Sequence, residues 1–422
     1  MKERYTLILN HAGMEIGGIE VCFSKLMTYC LMQKYRVIWI TNEDCYKRAS
    51  FRNIIDDERI EKIMVSPLLK LIGGVGQSKI LFTEDENVIM LSCDILNFAD
   101  AEGLREKTNV KTFYHFMLLP HYTGSAYYPE RLFESKYLKK KCFANMDIIA
   151  KQLVFNDCVR AFSEIQLTAY ENNYKVKIDE KNEKTLKSVE QTPVLDLEKL
   201  TERAKSRKNK ITITTCARFD FPHKAYILGL IEAFEMVSKK YSHIELIIVG
   251  YGDGQKEIEN KINELPSEIA NKIKMVGKKD PDDLIDIYNN STINVGLAGA
   301  LLDGAACGLP SLVVQHYSPE CNCFGFLEDV RTDIAMGIGN SIAPYLEELV
   351  TCSNDEYIKH GSEAYKTQVE LNRSQPEYIF EQKNKTSRSV LTKKQRIYCK
   401  LIHCVAAIKY RCFKESGFSE EK

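Results

Sequence analysis

The sequence predicts an α/β protein made of two doubly wound domains and a C-terminal helical basic tail. Three observations carry that reading. The chain has 422 residues, more than one ordinary core accommodates and enough for two. Short apolar runs alternate with amphipathic helical stretches in both halves, as expected of parallel strands covered on both faces. A charged stretch with few large apolar residues, 175–210, separates the halves and reads as surface loops and an interdomain linker.

In the first half, residues 5–10 (YTLILN) read as a buried strand, followed by a glycine-containing turn and a helix over about 18–33. Further strands are expected at 35–41, 62–66, 88–92 and 110–116. In the second half, strands at 210–215, 244–250, 273–276, 292–296 and 311–314 alternate with helices at 226–241, 255–265, 282–289 and 301–307. The expected domains are 1–195 and 196–370, with 371–422 as the tail. Between Lys383 and Lys414 stand ten Lys or Arg and no acid, and Ile397, Leu401, Val405, Ile408 and Cys412 form one helical stripe. Such a helix suits an anionic membrane surface, or a return onto the first domain.

Composition narrows the function classes. Formal net charge is zero, so no global field calls for nucleic acid. The opening MKERYTLILNHAGMEIGG lacks a signal-peptide pattern, and no run of about 18 apolar residues suggests a membrane span. The 14 cysteines lie mostly inside apolar elements and suit a reducing cytoplasm. Cys321 and Cys323 form a lone CxC without a second pair, so no metal or cofactor is expected.

Candidate chemistry concentrates in the second half. Arg218 and Lys224 fall on the connection after the 210–215 strand, and loops at the carboxyl ends of parallel strands are where such sheets bind ligands. Two cations there suit a diphosphate; they also suit a plain solvated loop. In VGLAGALLDGAA, Gly296 and Gly299 precede a helix starting near Ala300, whose free N–H groups favour an anion. Asp303, in the first turn, is placed to accept from ribose hydroxyls or simply to complement the helix dipole.

The order of these segments resembles the donor domain of family 4 glycosyltransferases of the GT-B type. The matching pieces are Arg218 with Lys224, IVGYGDG at 248–254, MVGKKDPDDLIDIY from Met275, and LLDGAACGLPSLVV ending at Val314. More loosely, MEIGGIE at 14–20 resembles that family's Gly-Gly turn, with Gly17 and Gly18 open to substrate and Glu20 complementing the helix start. The resemblance implies two Rossmann-like domains facing each other across a cleft. It implies transfer of a sugar from a nucleotide-sugar, UDP-linked by first expectation, to a glycan or lipid-linked acceptor.

The resemblance also assigns roles. Arg218 and Lys224 would hold the leaving diphosphate, with Gly250, Gly252 and residues 296–300 around it. Gly277 and Lys278 would lie against the nucleobase, Asp303 against the ribose, and His115, at an expected strand end, near the donor sugar. His121 is a weaker candidate, and Ser163 either a site residue or a helix cap. One departure stands out. The family carries two glutamates with seven residues between them; Asp303 matches the second, but the first falls on Val295. That departure keeps two rivals open, a non-catalytic nucleotide-sugar-binding partner subunit and a sugar-nucleotide epimerase of the same fold. The implied setting is bacterial surface polysaccharide assembly at the cytoplasmic side of the membrane.

Overall fold

A computed structural model describes residues 4–14, 18–65, 75, 80–107, 110, 112–119, 136–186, 194–371, 378–385 and 389–415. The chain divides into two compact units, Met1–Val189 with Ser374–Lys422, and Glu190–Arg373.

Among the described residues unit 1 is built on six strands: β1 (Arg4–Asn10), β2 (Arg36–Thr41), β3 (Ile60–Met64), β4 (Glu86–Cys93), β5 (Thr112–Leu118) and β6 (Val159–Arg160). They are all parallel, in the order β3-β2-β1-β4-β5-β6. This is the doubly wound order, which reverses between β1 and β4. Leu7, Ile8 and Leu9 on β1 are all buried, as a central strand covered on both faces requires.

Unit 2 carries β7 (Ile211–Arg218), β8 (Ile244–Tyr251), β9 (Ile273–Gly277), β10 (Ile293–Gly296), β11 (Ser311–Val314), β12 (Asn322–Phe326) and β13 (Asn340–Ser341). Their order is β13-β12-β11-β10-β7-β8-β9. The β11-β10-β7-β8-β9 core is parallel and reverses between β7 and β10, while β12 and β13 extend one edge antiparallel.

Four expectations need correction. The stretch read as a linker contains the Leu197–Ser206 helix, capped by Asp196. Its charge misleads because two of its basic residues are buried. Arg203 donates to the carbonyls of Cys307 and Gly308, and Arg207 to that of Leu349. Satisfying several carbonyls from one guanidinium is what allows burial. Second, β5 runs on to Leu118, so His115 sits inside the strand. Third, β7 extends to Arg218 itself. Fourth, in the Lys393–Glu415 helix it is Cys399 and Ile402 that are buried, in a cluster with Ile95 and Phe98 of the Asp94–Lys107 helix. Of the stripe expected to meet either a membrane surface or the first domain, Ile397, Leu401 and Val405 are 50%, 61% and 36% exposed, so they are not the residues that pack on unit 1. Ile408 and Cys412 have side chains outside the described set.

Candidate functional site

The strand order of unit 2 dictates where a ligand can go. Connections after β7 and β10 leave the sheet in opposite directions, opening a crevice at the carboxyl ends of these two neighbours. Arg218 closes β7, and Lys224 lies on the connection to the Tyr226–Ser238 helix.

Backbone hydrogen bonds hold that connection. Phe219 N–H donates to Tyr251 O at 2.7 Å, Gly254 N–H to Phe219 O at 2.9 Å and Lys224 N–H to Asp220 O at 2.9 Å. The glycines of IVGYGDG make this approach possible. Gly250 and Gly252 have φ of +150° and +144°. A Cβ on Gly250 would strike the Ala217 carbonyl, and one on Gly252 would lie 2.8 Å from that of Phe219. These two glycines, expected among the donor contacts, are needed for packing: they let β8 press against the Arg218 connection.

The two cations differ. Arg218 is 57% exposed and pairs with Asp220 at 3.1 Å. Lys224 makes no side-chain hydrogen bond or ion pair with any described residue. Burial holds its ammonium down at about 8, opposed by the field of Asp220 and Asp333 and assisted by that of Arg218. A partly desolvated ammonium without a hydrogen-bond acceptor is suited to an anionic ligand.

On the other side of the crevice, β10 leads into the Ala298–Ala306 helix, which lacks a side-chain cap. Val295 is fully buried in the core, so it offers nothing to a ligand. Several bonds fix the helix start. Tyr288 Oη donates to Ala300 O at 2.8 Å, and Asn294 Nδ2 to Leu301 O at 2.9 Å. Gly304 lets the helix lie on Asn294, whose amide a Cβ would strike. Ala298, at φ +56°, donates its N–H to Asp333 O at 2.8 Å, so this one donor of the 296–300 set is spent internally. The space around Gly299 is open. Asp303 is half-buried and acts on Cys216 near the end of β7: burial first, then this carboxylate, push the thiol up to about 12.

Gly277, at φ +70°, ends the edge strand β9, and Lys278 Nζ lies 5.2 Å from the centre of the Tyr251 ring. Two groups escaped the sequence reading. His223, His316 and Tyr317 form a ring cluster with centroids 5.0–6.0 Å apart, and burial followed by the charge of Lys224 lowers His316. Asp333 follows β12 on an irregular segment with no motif around it. For the cluster, His223 beside Lys224 was the available signal.

Unit 1 treats its expected site residues differently. His115 is fully buried and stacked on Phe98 at 3.9 Å. Its Nε2 meets Ser92 Oγ at 2.8 Å and its Nδ1 meets Glu102 Oε1 at 2.9 Å. With both nitrogens engaged in the core it has no face for a donor sugar, and the site role expected of it is withdrawn. Gly17 and His121 lie outside the described residues; Gly18 opens the Gly18–Met32 helix with open space around it. At the β1/β4 switch, His11 Nε2 meets Glu20 Oε1 at 2.7 Å. Burial pulls His11 down, but Cys93 and Glu20 outweigh it and hold it well above its ordinary value. Ser163 forms a capping box with Gln166.

Residues 198–321 match the family model described as glycosyl transferases group 1. No curated protein sequence matches the chain. Solved structures do. TarM from S. aureus is 10% identical with a TM-score of 0.56, covering 90% of this chain and 98% of its own. HepE from Anabaena, in complex with UDP and glucose, is 14% identical with a TM-score of 0.54, covering 87% and 95%. A trehalose-6-phosphate structure from E. coli, bound with UDP-2-fluoro glucose, is 13% identical with a TM-score of 0.51, covering 90% and 97%. The chain therefore has the GT-B fold of two Rossmann-like units, and its segment 198–321 is similar to the glycosyl transferases group 1 family.

Proposed function

We propose that this protein is a metal-independent glycosyltransferase that takes its sugar from a nucleoside diphosphate, UDP first among the candidates. The observation that carries the reading is the convergence of Arg218, Lys224 and the uncapped Ala298–Ala306 helix on one switch point. UDP in the HepE complex and the UDP sugar in the E. coli structure favour that nucleotide. In the reaction, the bond from the anomeric carbon to the β-phosphate oxygen breaks and its electron pair leaves with the diphosphate. Arg218, Lys224 and the helix-start N–H groups stabilise that charge without a metal. The acceptor hydroxyl bonds to the anomeric carbon on the same face, and its proton passes to a phosphate oxygen of the leaving group. Retention, a glycan or lipid-linked acceptor and a place in bacterial surface polysaccharide assembly complete the proposal.

Arg218→Ala tests it. Removing one such electrostatic contact costs about 2.7–4 kcal/mol of transition-state stabilisation, or roughly a hundred- to a thousandfold in turnover. Undiminished transfer or donor hydrolysis by a folded variant would sink the reading. A wild-type chain that binds nucleotide-sugar yet never turns it over would favour a non-catalytic partner subunit.

A cytoplasmic location against the membrane is proposed from the outward stripe of Ile397, Leu401 and Val405 on a helix in a strongly basic stretch. The full chain should sediment with vesicles containing anionic phosphatidylglycerol and release at high salt. A Leu401→Glu, Val405→Glu variant that sediments equally would remove this part.

A further inference from the structure

The site has an acidic gap and an acidic surplus. The position where the family carries its first glutamate is Val295, fully buried in the core. An acidic residue reaches the same helix from elsewhere in the sequence. Asp333 O accepts the Ala298 N–H at 2.8 Å, which fixes residue 333 against the first turn of the Ala298–Ala306 helix. Its segment is anchored on that helix: Leu327 and Ala335 are buried in one cluster with Leu301 and Leu302.

Burial holds the Asp333 carboxyl above its ordinary value, opposed by the nearby backbone N–H groups of residues 333 and 334 and by the charge of Lys224. A carboxylate has about four acceptor sites, so this one has capacity for hydroxyl donors of a ligand. Lys224 acts on Asp333 and Asp333 on Lys224, yet no direct ion pair joins them. The carboxylate thus lies within electrostatic reach of the cation proposed for the diphosphate. A sugar attached to that diphosphate starts at the same place and presents hydroxyl donors.

We propose that Asp333 accepts hydrogen bonds from hydroxyls of the donor sugar and so does the work for which Val295 has no polar atom. This inference rests on the nucleotide-sugar reading above and adds to it the group that recognises the sugar. The position of the helix start does not depend on the side chain, since Ala298 bonds to the backbone carbonyl of residue 333.

Asp333→Asn tests this without emptying space. Dissociation constants would be measured by calorimetry for UDP, GDP and CDP and for their glucose conjugates, on wild type and variant. The conjugate of whichever nucleotide binds should weaken about tenfold or more in the variant, the scale of a hydrogen bond to a charged group. The free diphosphate should change less than about twofold, a negligible energy on this scale. The variant should also lose the preference for glucose over deoxyglucose conjugates. Equal weakening of diphosphate and conjugate would overturn the inference, as would no change in either. A wild-type chain that binds none of these nucleotides would instead bring down the underlying reading and this inference with it.

Discussion

Glu102, Arg105 and His115 in unit 1 and Arg218, Lys224 and Asp333 in unit 2 are two charged clusters with opposite bookkeeping. In unit 1 the cluster is closed. Glu102 lies 3.5 Å from Arg105 and 2.9 Å from His115, all without exposure, and accepts the Val390 N–H at 2.6 Å. Asn384 Oδ1 accepts the His115 N–H at 2.8 Å. The acceptor and donor demands run from the sheet into the returning C-terminal segment and end there. In unit 2 the charges sit where two strands diverge, Lys224 has no hydrogen-bonding partner among the described residues, and Arg218 is exposed. Burial lowers both His115 and Lys224. What separates a core group from a candidate ligand group is therefore the completeness of its partners; a displaced titration is common to both.

The largest way to break this comparison is Glu102→Gln. It removes the carboxylate charge 3.5 Å from buried Arg105, and removing one partner of such a pair typically costs about 3–5 kcal/mol. Its pH dependence has a definite sign. The hydrogen bonds and charges of His115 and Arg105 outweigh burial and hold Glu102 down at about 2, from 4.5. Its stabilisation is present above about 4.5 and is lost as pH falls toward 2. Amide exchange should rise at Val390 and Leu391 in the variant, while the affinity of the full chain for nucleotide stays unchanged. Weakened nucleotide binding in a folded variant would mean the two clusters are not separate in function.

The same contrast explains what the sequence made legible. Strand and helix periodicity follows from which faces are buried, so the alternation in both units could be read from local pattern. Arg218 and Lys224 could be placed at and after the end of β7 from local spacing, whereas the helix begins at Ala298, two residues earlier than expected, so that Asp303 lies beyond its first turn. Other features depend on contacts far along the chain. His115 was misplaced because nothing nearby announces Glu102, Ser92 and Asn384 as its partners. Arg203 and Arg207 looked solvated because their carbonyl partners lie beyond residue 288. The short antiparallel strands β12 and β13 and the turn holding Asp333 have no periodicity to detect.

A smaller effect sharpens the comparison at the open cluster. Lys224 titrates at about 8 in the free protein, mainly through burial. A bound diphosphate favours the charged amine and raises that value, so binding takes up a proton once the pH exceeds it. Affinity should be level below about 8 and fall as pH rises beyond it, by up to about tenfold per unit. The groups around the amine leave this window clear. Cys216 is pushed up to about 12, and burial and Lys224 both lower His316. Nucleotide affinity measured by calorimetry between about pH 7.5 and 9.5 should therefore trace one loss. Lys224→Met should bind more weakly and show no slope across the same range. A wild-type profile as flat as that of the variant would mean that Lys224 does not meet the ligand as a cation.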